Sequence, residues 1–412
     1  MKVVIFAHYH PEVFNEGKEK GGSELVAYNL FKELNNQEVS AWFVGGLPFP
    51  EEANPKLIRV SEKEVAIKNF TSRWDFISTI DYNKFYEFNE FLKEVRPDIF
   101  HFHHYINLGL NLFCHIKNLF PHSKIVLTLH DFNAICFNRA MITTDGNLCE
   151  KASPEKCNKC FPDKPPQVFS LKERHVKEYF KFIDLFISPS NFLKSRYVEW
   201  GLSPDKILVI ENGLVEEIPL PPRKLKKGEC RGKFGFFGRI TPLKGLDIVL
   251  EAFDMLPDRV KEKVCLHIHG PMTRTESFKK KIKSLMKKNS KIVKYFGPYQ
   301  PSELRALMSE VDWVVMGSIW WENSPLVIQE AFKYKRPVIC PNIGGMAEKV
   351  KDGKGGFTYQ WKNPKSLAEL ICKVIEDEDL YQNLVKNIPD YKPLKIFALE
   401  TKEVYENLIL KK

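Results

Sequence analysis

Short apolar runs recur along the chain, spaced so that a helix fits between most of them. Residues 3–7, 39–44, 99–103, 125–129, 185–187 and 207–210 each read as a buried strand rich in Val, Ile and Phe. Ala27, Leu30, Phe31 and Leu34 fall at i, i+3, i+4 and i+7 and predict one apolar stripe of a helix. Residues 82–95 predict a second helix, which Pro97 stops. Strands alternating with helices imply a parallel sheet covered on both faces.

At Pro219, Leu220, Pro221 and Pro222, followed by the basic run 223–227, turn chemistry and charge replace that periodicity and predict a domain boundary. A second series follows, with strands at 234–237, 264–268, 292–295, 313–315 and 338–340, and helical spacing at Leu246, Val249, Leu250 and Phe253. The expected architecture is two doubly wound α/β domains. Ligands in such sheets sit beyond the carboxyl ends of the strands, and two joined domains make a cleft. The lysine-rich stretch 279–291 interleaves Ile282, Leu285 and Met286, the pattern of a surface helix with one apolar face.

Composition narrows this picture. With 412 residues, 43% hydrophobic and 28% charged, the chain can fill two cores, and a disordered or collagen-like chain is excluded. Sixty-two Lys and Arg against 52 Asp and Glu leave a net charge of +10, which suits anionic partners without choosing among them. The opening apolar run is too short for a signal peptide and no 18-residue apolar stretch occurs, so a cytoplasmic chain is expected, in peripheral contact with a membrane at most. Nine cysteines in such a chain argue against a disulfide framework.

Candidate chemistry concentrates in three loops. Ser324 is a favourable N-cap and Pro325 a favourable first helical residue, so a helix is expected from Pro325, with its N-terminal N–H groups offered to an anion. Glu322 then precedes that helix and Glu330 lies inside it, placed to reach different parts of one ligand. Gly238, Arg239, Thr241, Pro242, Lys244 and Gly245 follow the strand 234–237, where two cations would suit a diphosphate. Gly21, Gly22, Ser23 and Glu24 precede the Ala27 helix, where glycine permits close approach of backbone to ligand. Apart from these, Cys136, Cys149, Cys157 and Cys160 share one loop-like stretch; four thiolates could bind one zinc tetrahedrally, or stay free, or pair. A thioredoxin-like site is not expected there, since the C-x-x-C does not open a helix after a first strand.

Together these segments resemble the retaining, nucleotide-sugar-dependent glycosyltransferases often called family 4, which have the GT-B fold of two Rossmann-like domains facing a central cleft. The resemblance rests on Glu322 and Glu330 with Asn323, Ser324, Pro325 and Leu326 between them, on Gly238–Arg239 and Lys244–Gly245, on Gly21 and Gly22, and on His130–Asp131. Pro189, Ser190, Asn191, Asn212, Gly213, Gly344, Gly345 and Glu348 also sit where the family has them. Gly317 departs from it, since many relatives carry Pro before the serine at 318; a looser loop around Glu322 would follow.

The resemblance implies an acceptor-side domain over 1–217 with a Cys-rich insertion at 136–160, a nucleotide-sugar domain over 218–395, and a C-terminal helix at 396–412 packing back on the first domain. It implies that Arg239 and Lys244 hold the donor's diphosphate, Glu330 the ribose and Glu322 the donor sugar. His130 would contact the sugar, and His103 and His104 follow a strand end that could line the acceptor side. No cofactor is implied for catalysis. A subset of the family resembles the cysteine pattern, which favours structural zinc. The implied partners are a nucleoside diphosphate sugar and a glycan or lipid-linked acceptor, in polysaccharide, lipopolysaccharide or glycolipid synthesis, with no nucleic acid. Alternatives are a sugar-nucleotide epimerase of the same fold and a zinc-knuckle nucleic-acid-binding protein. An NAD-dependent oxidoreductase is disfavoured, because His8, Tyr9 and His10 follow the first strand in place of G-x-G-x-x-G.

Overall fold

The structure is a computed structural model; it describes residues 1–13, 22–48, 55–69 and 80–410. The chain divides into two compact units, Met1–Val215 with Lys392–Lys412, and Glu216–Tyr391. The first division falls at Val215 rather than at 217. The second falls at Tyr391, so that the chain rejoins the first unit before its last helix, Leu394–Leu410.

The first unit carries an eight-stranded sheet of β1 (Lys2–Ala7), β2 (Ser40–Pro48), β3 (Lys56–Arg59), β4 (Glu64–Asn69), β5 (Ile99–Phe102), β6 (Lys124–Thr128), β7 (Leu185–Ser188) and β8 (Ile207–Val209), in the order β3-β4-β2-β1-β5-β6-β7-β8. Every pair is parallel except β3 with β4. The six strands expected from apolar runs are present, and β3–β4 is an addition. This edge pair escapes an apolar-run search because β3 is the four-residue sequence KLIR, largely exposed. The stripe Ala27, Leu30, Phe31 and Leu34 is the buried face of the helix Gly22–Asn36. The second expected helix is broken: Tyr82–Lys84 is a 3₁₀ turn, Phe85 leaves helical geometry, and the α-helix runs Tyr86–Val95.

The second unit carries β9 (Lys233–Phe237), β10 (Cys265–His269), β11 (Val293–Gly297), β12 (Trp313–Val315), β13 (Val338–Pro341), β14 (Lys351–Asp352) and β15 (Gly355–Tyr359), ordered β11-β10-β9-β12-β13-β15-β14, with every pair parallel. From β9 the chain winds outward through β10 and β11, then returns to β12 on β9's other side and winds out through β13. The strand order reverses between β9 and β12, so the loops leaving their carboxyl ends diverge there and open a crevice. Phe234, Phe253, Leu266, Ile282, Trp313 and Ile339 are buried in one core beneath it. The lysine-rich segment is the helix Glu276–Lys288, with Ile282 buried and Lys281 and Lys288 ion-paired to Asp247 (2.6 Å) and Asp254 (2.5 Å). Among the described residues no helix is long and apolar enough to cross a membrane.

Candidate active site

The reversal between β9 and β12 joins two motifs separated by 78 positions in sequence. Lys244 Nζ donates to Glu322 Oε1 at 2.6 Å, in the second unit. The same oxygen accepts from Ser318 Oγ at 2.8 Å and from Trp320 Nε1 at 2.9 Å. Glu322 is only 5% exposed, so its charge depends on these three donors. Its Oε2 has no hydrogen-bond partner among the described residues.

Backbone contacts hold the loop between β12 and Glu322. Ile319 N–H donates to Leu243 O at 2.9 Å, Trp361 Nε1 to Ile319 O at 3.0 Å, and Gly345 N–H to Glu322 O at 2.7 Å. A Cβ on Gly317 would stand 2.1 Å from Gly245 O, and one on Gly245 would stand 1.9 Å from Gly317 O. Gly245 also has φ +58, which favours glycine. The two loops therefore touch backbone to backbone. The looser loop expected from Gly317 is corrected, since this glycine lets the strand-end loops close on each other.

The helix after Glu322 starts later than expected. It spans Leu326–Lys333, Pro325 is its N-cap with extended backbone, and no side chain caps it; Ser324 Oγ is buried without a hydrogen bond. Proline at 325 has no N–H to contribute to this start. Asn323 is buried, and its carbonyl oxygen would lie 2.0 Å from a Cβ on Gly345. Glu330 sits inside the helix, where burial raises its carboxyl to about 7, relieved in part by the charge of Lys333. Arg239 follows β9 on a loop pinned by Gly238 N–H to His269 O (3.0 Å) and Ile240 N–H to Pro271 O (2.9 Å).

In the first unit, His130 and the residues around it form a buried polar cluster at the carboxyl ends of β1, β5 and β6. His103 Nδ1 lies 2.9 Å from His130 Nε2, His104 Nε2 lies 3.3 Å from Asp131, and His101 bridges Tyr405 of the last helix and Thr128. Burial lowers His101 and His130 to about 3 and His103 well below its ordinary value, so all three are neutral near pH 7. Gly22, Ser23 and Glu24 are the first turn of the helix Gly22–Asn36 rather than a loop before it, and Gly21 lies outside the described residues. Glu24 is 6% exposed, with His8 Nε2 at 2.9 Å; burial resists its ionisation, but the hydrogen bond from His8 holds it down to about 2.

These imidazoles predict an acid-sensitive fold. An unfolded histidine titrates near 6.5, so His101, His103 and His130 take up protons on unfolding once the pH falls below that value. Their contribution is complete above pH 6.5 and declines by up to about 1.4 kcal/mol per pH unit for each group. Glu330 opposes this between about 7 and 4.5, one carboxyl against three imidazoles. The urea midpoint should therefore fall clearly from pH 7.5 to pH 5.0; equal midpoints would contradict the neutral cluster.

Both halves of the chain match glycosyltransferase family models: residues 20–217 match Glycosyltransferase Family 4, and residues 219–391 match Glycosyl transferases group 1. Among solved structures, sucrose-phosphate synthase from Thermosynechococcus elongatus superposes with a TM-score of 0.72 at 16% identity over 100% of both chains. Anabaena HepE in complex with UDP superposes with a TM-score of 0.70 at 17% identity, over 99% of this chain and 100% of that one. The protein has the GT-B fold. The D-inositol 3-phosphate glycosyltransferase of Corynebacterium glutamicum is 27% identical over 194 residues, 44% of this chain and 46% of that protein. This GT-B chain spans less than two thirds of the length of the curated relatives it matches first.

One segment of the GT-B chain stands apart from this chemistry. Cys136, Cys149, Cys157 and Cys160 all line one cavity of about 430 Å³ in the first unit, with Ile142, Leu148 and Phe161 among its apolar walls. The stretch is partly helical, since Cys157 and Cys160 lie on the helix Pro154–Cys160, and all nine cysteines are thiols rather than disulfides. Burial, reinforced by the neighbouring thiols, pushes Cys157 up to about 11. Among the described residues no three Cys, His, Asp or Glu side chains converge as a metal-ligand set. Sequence reasoning passed over Ser318 and Trp320, whose partner Glu322 lies four and two positions further along the same loop, and the His8–Glu24 pair, which joins the end of β1 to the helix Gly22–Asn36.

Proposed function

We propose that this protein transfers a sugar from a nucleoside diphosphate sugar to a glycan or lipid-linked acceptor, keeping the anomeric configuration. One observation carries the reading: a lysine and a buried glutamate, on loops 78 positions apart, meet at the crevice where the strand order of the second unit reverses. A cation there suits the diphosphate, and a carboxylate suits a sugar carbon that becomes positive as its bond to phosphate breaks.

In this reading Arg239 and Lys244 bind the diphosphate and stabilise the charge that grows on it. Asn323, Ser324, Pro325 and Leu326 shape the donor side beside them. Glu330 accepts from the ribose hydroxyls, and Glu322 faces the donor sugar. The C1–O bond breaks with its electron pair leaving on the β-phosphate oxygen. The acceptor hydroxyl attacks the same face and gives its proton to that departing phosphate. His130, neutral and backed by His103, suits a hydrogen bond to a sugar hydroxyl better than an ionic contact. The glycosyltransferase relatives support the reaction class, and the solved relative bound to UDP makes a UDP-sugar the first donor to test. A place at the cytoplasmic face of a membrane belongs to the same proposal and is supported by the net charge of +10.

A panel of UDP-, GDP- and ADP-sugars offered with glycan and lipid-linked acceptors tests the function, with the anomeric proton of the product read by NMR. Acceptor-dependent release of nucleoside diphosphate and a product anomer matching the donor are expected. Conversion of the donor sugar without any acceptor would instead identify an epimerase.

We also propose zinc for the cysteine segment, on the chemistry of its donors: four thiols on one cavity are a soft set suited to that ion, which would have to draw them inward to bind. Protein prepared without chelator should carry about one zinc per chain, and Cys157→Ser should lower both zinc content and thermal stability. Metal-free protein with unchanged stability in Cys157→Ser would refute it.

A further inference from the structure

Trp320 has a role that the donor-binding reading does not assign. Its indole Nε1 donates to Glu322 Oε1 at 2.9 Å, and Lys244 Nζ stands 5.7 Å from the centre of its ring. One side chain therefore hydrogen-bonds one partner of the ion pair and lies within cation–π range of the other. Ser318, 1% exposed, supplies the second neutral donor to the same oxygen at 2.8 Å.

If Lys244 serves the donor's diphosphate, it must leave Glu322 or divide its hydrogens between the two. A carboxylate that is 5% exposed cannot turn to water when it loses its cation. We infer that Trp320 is a positioning residue, which with Ser318 grips Glu322 Oε1 while Lys244 engages diphosphate, so that Oε2 stays aimed at the donor sugar. This inference rests on the proposed role of Glu322. The loop is suited to the task, because backbone hydrogen bonds from Ile319 to Leu243 and from Gly345 to Glu322 fix both sides of Trp320. The arrangement also separates the site's two functions: Lys244 can move to bind, while the carboxylate remains in place for the chemistry.

A double-mutant cycle distinguishes positioning from packing. Trp320→Phe keeps a ring and removes the N–H. It should lower kcat about tenfold while nucleoside diphosphate affinity stays within twofold of wild type. In a Glu322→Gln background the same change should cost nothing further, because the carboxylate it holds is gone. Ser318→Ala should show the same pattern and serves if Trp320→Phe fails to fold, which thermal melting reports. Equal losses in both backgrounds, or wild-type kcat in both Trp320→Phe and Ser318→Ala, would overturn the inference. Wild-type turnover by Glu322→Gln alone would instead strike the reading of Glu322, and the inference would fall with it.

Discussion

Glu322→Gln should bind nucleoside diphosphate at least as tightly as the wild type while losing on the order of 10²–10³-fold in kcat, the range for removing one transition-state electrostatic contact. The amide retains an oxygen that can accept from Ser318 and Trp320, so the loop keeps its shape. Lys244 loses its ionic partner, which leaves it freer to bind diphosphate. Glu330→Ala should show the converse, with weakened nucleotide affinity and a smaller effect on kcat, because a ribose contact is present in ground and transition states alike. Since burial holds the Glu330 carboxyl near 7, nucleotide affinity in the wild type should rise from pH 6 to pH 8 as it ionises to accept the ribose hydroxyls. That dependence should vanish in Glu330→Ala. Calorimetry and steady-state transfer on both variants read all of this, and wild-type kcat in Glu322→Gln would return that glutamate to an ordinary buried loop residue.

Gly317→Ala should damage the same site through the backbone of the facing loop. Its new Cβ would fall 2.1 Å from Gly245 O and 3.0 Å from Val249 Cγ2; a backbone oxygen cannot be moved by a rotamer change, so the loop bearing Lys244 has to shift. Overpacking of this kind typically costs about 1–3 kcal/mol. A lower melting temperature and at least a tenfold loss of donor affinity are expected, with the far-UV circular dichroism of the α/β core retained. If affinity and melting temperature both match the wild type, the closeness of the two loops does not matter to binding.

Much of the architecture was legible because buried parallel strands are written as short apolar runs, and β1, β5, β6, β9, β12 and β13 all announce themselves this way. Strands β3 and β4 did not, since β3 is a short exposed edge and the buried centre of β4 is only Val65, Ala66 and Ile67 between Glu64 and Lys68, and β15 opens on two glycines that weaken its signal. Ser324 and Pro325 misled by one residue, because cap preferences describe average helix starts, and here the chain stays extended through Pro325. In the candidate site, Lys244 and Glu322 could each be picked out alone, but their contact depends on strand order, which the pattern of apolar runs does not carry. Trp320 was silent for a related reason: its N–H meets a residue two positions away only because of how the loop turns. The His101–Tyr405 contact, spanning 304 positions, is a product of tertiary structure alone.

In the proposed reaction Lys244, beside Glu322 at the carboxyl ends of β9 and β12, binds the diphosphate of a sugar donor. Isothermal titration of UDP, GDP and ADP into the wild type and Lys244→Ala tests it most directly. At least one nucleotide should bind the wild type, and Lys244→Ala should bind it about 10- to 150-fold more weakly, corresponding to about 1.5–3 kcal/mol for a charge-assisted contact. The negative charge of Glu322, left without its lysine, should add to that loss. Equal affinity in the two proteins, or no binding of any of the three nucleotides by the wild type, would contradict it.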